Sequence, residues 1–304
     1  MSNNEKILSN LHMHSSMSDG SLKPVELLEL ASKLGLTDVA ITDHNFVHSE
    51  SDMDAYRNQF PNLNIYSGCE ISTAWDYNGE PVQIHIVAVG FDPKKLDQIV
   101  SKNKASDEDR ENYFNAIRNR LANECNILIP THEEMLIKFN KTSISRMEIN
   151  QVLVENNIVK TIDQAFDEYT GTYSKQARCY VNEMLYTNYI SVEDAISAIK
   201  AAGGYSILAH PVSYRLDDEG VCSLIQYCTE QGVDGVELDY YNYGSKEREL
   251  IKQYMDEAMD KTGRKLVISS ASDFHRPNDE NRPMATMLVE DYDNHIISLL
   301  RGNK

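Results

Sequence analysis

The chain has 304 residues, of which 41% are hydrophobic and 25% are charged, close to the average for globular proteins. This composition excludes long disordered segments, collagen-like repeats and coiled-coil rods, while the length allows two domains or one large barrel. The formal net charge of −18 repels phosphate polymers, so we expect no long nucleic acid as a partner.

Seven short apolar runs rich in β-branched residues are predicted to be strands: Ile7–Leu11, Val39–Thr42, Leu63–Ser67, Val82–Val89, Tyr205–Ala209, Gly235–Leu238 and Leu266–Ser270. Amphipathic helical stretches lie between most of them, including Pro24–Leu34, Ser191–Ala202 and Ser245–Lys261. This alternation indicates an α/β fold of parallel βα units, either a closed barrel or a doubly wound open sheet. Both architectures place their chemistry at the C-terminal ends of the strands.

A polar, helical stretch from about Asp97 to Asn188 interrupts this alternation. Its predicted helices are Asp107–Cys125, Thr131–Phe139, Ser145–Asn156 and Thr161–Tyr169. We therefore expect a first barrel part over residues 1–96, an inserted helical subdomain over 97–190 that caps the substrate, and a second barrel part over 191–304.

The cysteines and the N-terminus indicate a cytoplasmic protein. The five cysteines are odd in number and include no CxxC, so we expect neither a disulfide framework nor a thiolate zinc site. We read no export signal and no apolar run that approaches the ~18 residues of a membrane span. The oligomeric state stays open.

Six of the nine histidines fall at or just beyond predicted strand ends, together with three carboxylates: His12, His14, His44, His85, His210, His275, Asp19, Glu70 and Asp273. In an extended chain, residues i and i+2 project to the same side, so His12 with His14 and Asp273 with His275 each form a pair of donors. We expect the other three histidines, His48, His132 and His295, to be ordinary surface residues.

Imidazole and carboxylate donors without thiolate suit Mn²⁺, Fe²⁺ or Zn²⁺, and nine donors exceed what one ion can hold. The pattern therefore predicts two or three divalent ions, with Mn²⁺ favoured. Clustered divalent cations are one solution to phosphate-ester hydrolysis. We also expect Asp43 to orient His44, and Glu237 either to orient an imidazole or to cap a loop.

Five segments resemble the motifs of the polymerase and histidinol phosphatase (PHP) superfamily: LHMHSSMSDG at 11–20, TDHN at 42–45, GCEIS at 68–72, LAHP at 208–211 and SDFH at 272–275. The resemblance implies a distorted (β/α)7 TIM-like barrel with a trinuclear metal centre. It implies a first ion held by His12, His14, Glu70 and Asp273, a second by Glu70, His85 and His210, and a third by Asp19, His44 and His275.

The insertion resembles a branch that includes 3′,5′-nucleotide bisphosphate phosphatases and 5′-to-3′ exoribonucleases acting on short RNA. That likeness implies hydrolysis of a phosphate monoester in a nucleotide 3′,5′-bisphosphate or at the 5′ end of a short oligonucleotide. Where the branch has an Arg and a His facing the phosphate, this chain has Arg146 and Glu148. The expected substrate-binding residues are thus Arg146, Glu148 and Arg215, and the expected catalytic residues are Arg146, Arg215 and His210.

Glu148 leaves the substrate open, because a carboxylate beside a phosphate dianion is repulsive. It is expected to turn away, to pair with a cation, or to signal a different leaving group. One alternative is therefore a phosphatase of a non-nucleotide monoester such as histidinol phosphate. Another is a metal-stabilised binding module without turnover, which the complete donor set argues against.

Overall fold

The computed structural model describes residues 6–171, 176–214, 216–240, 243–277, 284 and 287–302. Its strands are β1 (Leu8–Asn10), β2 (Asp38–Ala40), β3 (Asn64–Tyr66), β4 (Gly68–Tyr77), β5 (Glu80–Val89), β6 (Tyr205–Leu208), β7 (Gly235–Tyr240), β8 (Val267–Ala271) and β9 (Met287–Leu288). Its α-helices are α1 (Pro24–Lys33), α2 (Glu50–Gln59), α3 (Pro93–Val100), α4 (Asp107–Cys125), α5 (His132–Phe139), α6 (Arg146–Glu155), α7 (Ile162–Ala165), α8 (Val192–Ala201), α9 (Asp218–Gln231), α10 (Ser245–Thr262) and α11 (Ile296–Gly302).

The predicted helices occur close to their expected bounds, because their caps are local sequence features. At the start of α4, the Ser106 hydroxyl accepts from the Asp109 amide (3.1 Å) and the Asp109 carboxylate accepts from the Ser106 amide (3.0 Å). Asn126 ends this helix in the left-handed conformation. The helix predicted over Thr161–Tyr169 instead divides into α7 and a π-helical turn, Phe166–Thr170.

The strands form two sheets, of order β3-β2-β1-β9 and β4-β5-β6-β7-β8. Strands β1 to β3 are parallel, as are β6 to β8. However, β5 is antiparallel to both of its neighbours, β4 and β6, and β9 is antiparallel to β1. The expectation of parallel βα units is therefore correct for the two ends of the fold and wrong for its centre.

The antiparallel centre follows from a turn too short for a parallel connection. Asn78 and Gly79 join β4 to β5, and both have positive φ (57° and 84°), as tight hairpin turns require. A parallel crossover would need a dozen or more residues. The sequence analysis found β5 but missed β4, whose ten residues mix polar and apolar side chains, and it also missed the two-residue β9.

Two isolated bridges connect the sheets. Met13, beyond the end of β1, pairs with Phe274, beyond the end of β8. His44, beyond the end of β2, pairs with Glu70 in β4. The segments that follow β1, β2 and β8 are thus brought to the first residues of β4.

The insertion has a hydrophobic cluster of its own. That cluster draws all its buried members from residues 114–181, among them Phe114, Leu121 and Leu153. Helix α3, by contrast, contributes Leu96 and Val100 to the cluster that fills the five-stranded sheet. The expected boundary at residue 97 therefore falls inside a helix that packs on the sheet. Within the described part of the chain, no helix combines the length and apolar composition needed to cross a membrane.

The insertion core can be tested with two leucines of the same segment. Leu121 is completely buried in α4, whereas Leu128 is 78% exposed. We expect Leu121→Ala to lower the free energy of unfolding by about 2–5 kcal/mol because it leaves a cavity. Leu128→Ala should change it by less than about 0.5 kcal/mol. Urea denaturation followed by circular dichroism measures both, and equal effects would contradict the assignment of this core.

Candidate metal centre

The loop after β1 carries the first pair of histidines. His12 and His14 are completely buried, and their Nε2 atoms lie 3.1 Å apart. The His14 amide donates to the Phe274 carbonyl (2.8 Å), which holds this loop against the segment after β8. Gly20 closes the loop, since a Cβ at this position would lie 2.2 Å from the His14 carbonyl oxygen.

Glu70, the third residue of β4, is buried among five imidazoles. Its Oε2 lies 3.1, 3.2 and 3.0 Å from nitrogen atoms of His12, His14 and His44. Its Oε1 lies 2.8 and 3.2 Å from nitrogen atoms of His85 and His210. One carboxylate therefore contacts side chains that follow or lie in four different strands.

Two aspartates complete the arrangement. Asp273 Oδ1 lies 3.2 Å from His14 Nε2, and Asp273 Oδ2 accepts a hydrogen bond from the Tyr240 hydroxyl (2.8 Å). Asp19 Oδ2 lies 3.4 Å from His275 Nε2. The structure thus brings together all nine residues singled out from the sequence, here named the donor cluster: His12, His14, Asp19, His44, Glu70, His85, His210, Asp273 and His275.

The donor cluster contains three overlapping groups whose ligand atoms lie within 4.8 Å of one another. They are His12–His14–Glu70–Asp273, His14–Asp19–His44–His275 and His44–Glu70–His85. His14 and His44 each belong to two groups, whereas the resemblance placed each of them with a single ion. Neighbouring groups therefore share donors.

The backbone is strained at this site. His210, Asp273 and Asn45, the residue after His44, have φ values of 28°, 50° and 47°. Such left-handed conformations are uncommon for residues other than glycine and persist where surrounding contacts enforce them. Here they occur after β6, β2 and β8, where the chain turns into the loops that carry the donor cluster.

The electrostatics of the donor cluster favour positive charge. Burial lowers the pKa of His14, but the neighbouring carboxylates of Asp273 and Glu70 outweigh burial and raise the pKa to about 10. Burial has the opposite effect on a carboxylate and raises the pKa of Glu70, yet the surrounding imidazoles hold this pKa well below its usual value. For His44, burial prevails and lowers the pKa to about 4, which leaves a neutral imidazole able to bind a cation.

Some buried ligand atoms of the donor cluster also lack a hydrogen bond within the described part of the chain. Among the described residues, His14 Nδ1, His44 Nδ1 and Glu70 Oε2 have no hydrogen bond of acceptable direction, although other donor atoms lie close to each. Buried polar groups are normally hydrogen-bonded, so such crowding calls for another species. Oxygen and imidazole donors in this arrangement fit divalent cations.

Glu237, in β7, orients two residues of the donor cluster. Its Oε1 lies 2.8 Å from His12 Nδ1, and its Oε2 accepts from the His210 amide (2.8 Å). The first contact fixes the His12 ring through the nitrogen that faces away from Glu70, as expected of an orienting carboxylate, and the second fixes the backbone at His210.

The prediction that Asp43 orients His44 is wrong. Asp43 Oδ1 accepts from the Ser15 amide (2.8 Å) and the Ser18 hydroxyl (2.6 Å), while Oδ2 lies 2.9 Å from His48 Nε2. Successive side chains of an extended segment point to opposite sides, so Asp43 faces away from its neighbour. It anchors the loop after β1 instead.

Two histidines expected at the surface are buried. His48 contacts Asp43 and lies 3.2 Å from the Tyr56 hydroxyl through its Nδ1. His295 Nε2 lies 2.9 Å from the Ser270 hydroxyl. The expectation fails here because the partners that satisfy these rings become neighbours only through folding.

The expected substrate-binding residues lie on α6. Arg146 is its first residue and is half-buried. The adjacent Met147 lies 3.6 Å, through its sulfur, from Arg276, which follows His275 and also pairs with Asp163. The start of α6 thus lies beside the loop after β8.

Glu148 caps its own helix. Its Oε2 accepts from the Ser145 amide (2.8 Å) and hydroxyl (2.7 Å), and its Oε1 accepts from Lys141 Nζ (2.5 Å). Of the outcomes expected for this carboxylate, pairing with a cation is the one observed. Arg215, the other expected substrate-binding residue, lies outside the described residues.

Comparisons with known proteins agree with this geometry. The PHP domain family matches residues 10–302. A 3′,5′-nucleoside bisphosphate phosphatase of Chromobacterium violaceum is 30% identical over 276 residues, which cover 90% of this chain and 88% of the relative. A 5′-3′ exoribonuclease of Haemophilus influenzae is 29% identical over 269 residues, which cover 88% of this chain and 89% of that protein.

A solved structure shares the fold. It is an amidohydrolase from Chromobacterium violaceum with bound sulfate and no metal, 24% identical, with a TM-score of 0.74 over 97% of this chain and 96% of the other. The chain therefore belongs to the PHP domain family. It is a metal-dependent phosphoesterase of that family.

The role of Glu237 can be tested with Glu237→Gln. Glu237 uses one oxygen for the His12 ring and the other for the His210 amide, and glutamine replaces one of these acceptors with an NH2 group that only donates. We expect the affinity for Mn²⁺ to fall about 10- to 100-fold. Isothermal titration calorimetry measures it, with Glu134→Gln, which alters an exposed helix cap, as control. Equal affinity in Glu237→Gln and wild type would contradict this role.

The raised pKa of His14 gives a pH test. Stability gained from the protonated ring is complete below the ordinary value of 6.5 and is lost as the pH rises through about 10. We therefore expect the metal-free protein to melt at lower temperature as the pH rises across this interval, and His14→Gln to reduce that dependence. Differential scanning fluorimetry in chelator measures it, and a flat profile for the wild type would refute it.

Proposed function

We propose that this chain hydrolyses a phosphate monoester in a small phosphorylated substrate, namely a nucleoside 3′,5′-bisphosphate or the 5′ end of a short oligonucleotide. The observation that carries the proposal is the donor cluster, gathered around buried Glu70 in a chain of the PHP domain family. The substrate class is supported by the two relatives, which align with about nine-tenths of the chain.

The three overlapping groups support several cation positions, and His210, which belongs to none of the three groups, is included because its Nε2 lies 3.2 Å from Glu70 Oε1. We assign His12, His14, Glu70 and Asp273 to the first, Glu70, His85 and His210 to the second, and Asp19, His44 and His275 to the third. His44 also neighbours the second position, since it lies within reach of Glu70 and His85. Mn²⁺ is our first choice, with Fe²⁺ and Zn²⁺ as alternatives.

When bound, the cations would neutralise phosphate oxygens and lower the pKa of a water molecule for attack on phosphorus. The chain's own residues place the donors: Glu237 fixes the His12 ring, and the Tyr240 hydroxyl holds Asp273. Arg146 would bind a substrate phosphate from the start of α6, because a guanidinium matches phosphate oxygens in pairs. We assign Arg215 the same role. His210 would contribute to catalysis as a ligand of the second cation.

The two sheets are bridged beyond the ends of β1 and β8 and between the segment after β2 and β4. These bridges support the distorted (β/α)7 barrel as the common architecture of the two sheets, with residues 97–190 as a cap over its mouth. The net charge of −18 argues for a small substrate rather than long RNA. The five free cysteines are compatible with a reducing cytoplasm.

Metal dependence is tested by removing single donors. We expect Mn²⁺ to stimulate phosphate release, and His12→Ala or Asp273→Asn to reduce kcat/KM by orders of magnitude. His132→Ala, in the insertion and outside the donor cluster, should keep wild-type turnover. A molybdate assay for inorganic phosphate measures all three, and full activity in either donor variant would overturn the proposal.

Substrate choice is tested with a panel. Adenosine 3′,5′-bisphosphate, a 5′-phosphorylated trinucleotide and histidinol phosphate should be compared by kcat/KM. We expect the nucleotides to exceed histidinol phosphate by at least about tenfold, which corresponds to about 1.4 kcal/mol of additional binding in the transition state. A preference for histidinol phosphate would replace the nucleotide assignment with the monoester alternative.

A further inference from the structure

Asn103 lies between α3 and α4, where the chain enters the insertion, and only 3% of its surface is exposed. Its Nδ2 donates to Asn45 Oδ1 (3.2 Å) and to the Ser72 carbonyl (2.8 Å). Its Oδ1 accepts from the amide of Ile190, where the insertion ends (2.8 Å). One side chain therefore joins the entry and the exit of the insertion to β4.

The partners of Asn103 directly adjoin the donor cluster. Asn45 follows His44, and its amide donates to the Glu70 carbonyl (2.8 Å). Asn45 and Ser72 also bond each other twice, from Asn45 Nδ2 to the Ser72 hydroxyl and from the Ser72 amide to Asn45 Oδ1, both at 3.1 Å. Asn103 is thus bonded directly to the strand that carries Glu70, at Ser72, and indirectly through Asn45.

The C-terminal end of the insertion is also bonded to β4. The Ala74 amide donates to the Ile190 carbonyl (2.9 Å), and Ser191 lies opposite Ala74 in a parallel bridge. With Asn103 between them, both ends of the insertion are fixed to the stretch of β4 just beyond Glu70. The position of the insertion is therefore set by the strand that also positions the central carboxylate.

We infer that Asn103 is a positioning residue that sets the place of the insertion, and with it Arg146, over the donor cluster. The reference to substrate rests on the proposed function. An asparagine suits the position because it offers two donors and one acceptor at fixed angles. Asp keeps the acceptor for Ile190 and loses both donors, whereas Ala loses all three bonds.

A purely structural role would make a different prediction. Asn182 supplies the matched control, because it too links the insertion to the five-stranded sheet, through Nδ2 and the Pro81 carbonyl (3.1 Å). Pro81 adjoins the β4–β5 turn rather than a residue of the donor cluster. If general attachment were all that mattered, Asn182→Asp and Asn103→Asp would have the same effect.

The experiment compares Mn²⁺-loaded wild type, Asn103→Asp, Asn103→Ala and Asn182→Asp on two substrates. Adenosine 3′,5′-bisphosphate offers a second phosphate to the insertion, whereas p-nitrophenyl phosphate offers only one, to the donor cluster. We expect both Asn103 variants to raise KM for the bisphosphate about 10- to 100-fold and to leave kcat/KM for p-nitrophenyl phosphate within about twofold. Asn182→Asp should change neither value.

A double-mutant cycle identifies the residue through which Asn103 acts. If Asn103 acts by placing Arg146, the loss in Arg146→Ala/Asn103→Asp is smaller than the product of the two single losses. Independent effects, equal losses on both substrates, or wild-type kinetics in Asn103→Asp would each overturn the inference.

Hydrogen–deuterium exchange separates this inference from the proposed function. If wild type releases phosphate from neither substrate, the proposed function fails, and exchange then decides about Asn103 alone. We expect Asn103→Asp to accelerate exchange at the Asn45 and Ser72 amides, and Asn182→Asp to leave them unchanged. Unchanged exchange in Asn103→Asp would overturn the link to the donor cluster.

Discussion

The buried carboxylate of Glu70 is the constraint on which the structure depends. An isolated carboxylate is costly to remove from water, and here five imidazoles surround it within 3.2 Å. Those imidazoles follow β1, β2 and β6 or lie in β5, so the ends of both sheets must converge on one point. The same convergence raises the pKa of His14 and leaves donor atoms without directed partners. The chain thus gathers a set of ligand atoms that fits divalent cations.

The β4–β5 hairpin makes this convergence possible. Ser72 lies opposite His85 in the antiparallel register, and Glu70 lies two residues before Ser72 on the same face of β4. Glu70 and His85 are therefore diagonal neighbours across the strand pair, within reach of each other's side chains. A parallel βα unit at this point would have separated the two residues by a helix.

The contacts of Glu148 in the structure explain a residue whose role the sequence alone left open. By resemblance to the bisphosphate phosphatase and exoribonuclease branch, Glu148 stands where that branch has a histidine, and this difference left the substrate of the chain open. In the structure this carboxylate completes a helix cap and pairs with Lys141. Contacts that hold the insertion against the sheets lie elsewhere, among them those of Asn103 and the ion pair between Arg276 and Asp163.

Local sequence patterns were enough to predict many of the helices and the members of the donor cluster. Caps such as Ser106 act within one helical turn, and donors such as His12 and His14 mark strand ends through their spacing alone. Long-range contacts in the fold were needed to see that Glu237 holds His12, a partner 225 residues away, that His48 and His295 are buried, and that Asn103 joins the insertion to β4. Local patterns record interactions between residues close along the chain. Partners far apart in sequence become neighbours only when the sheets pack.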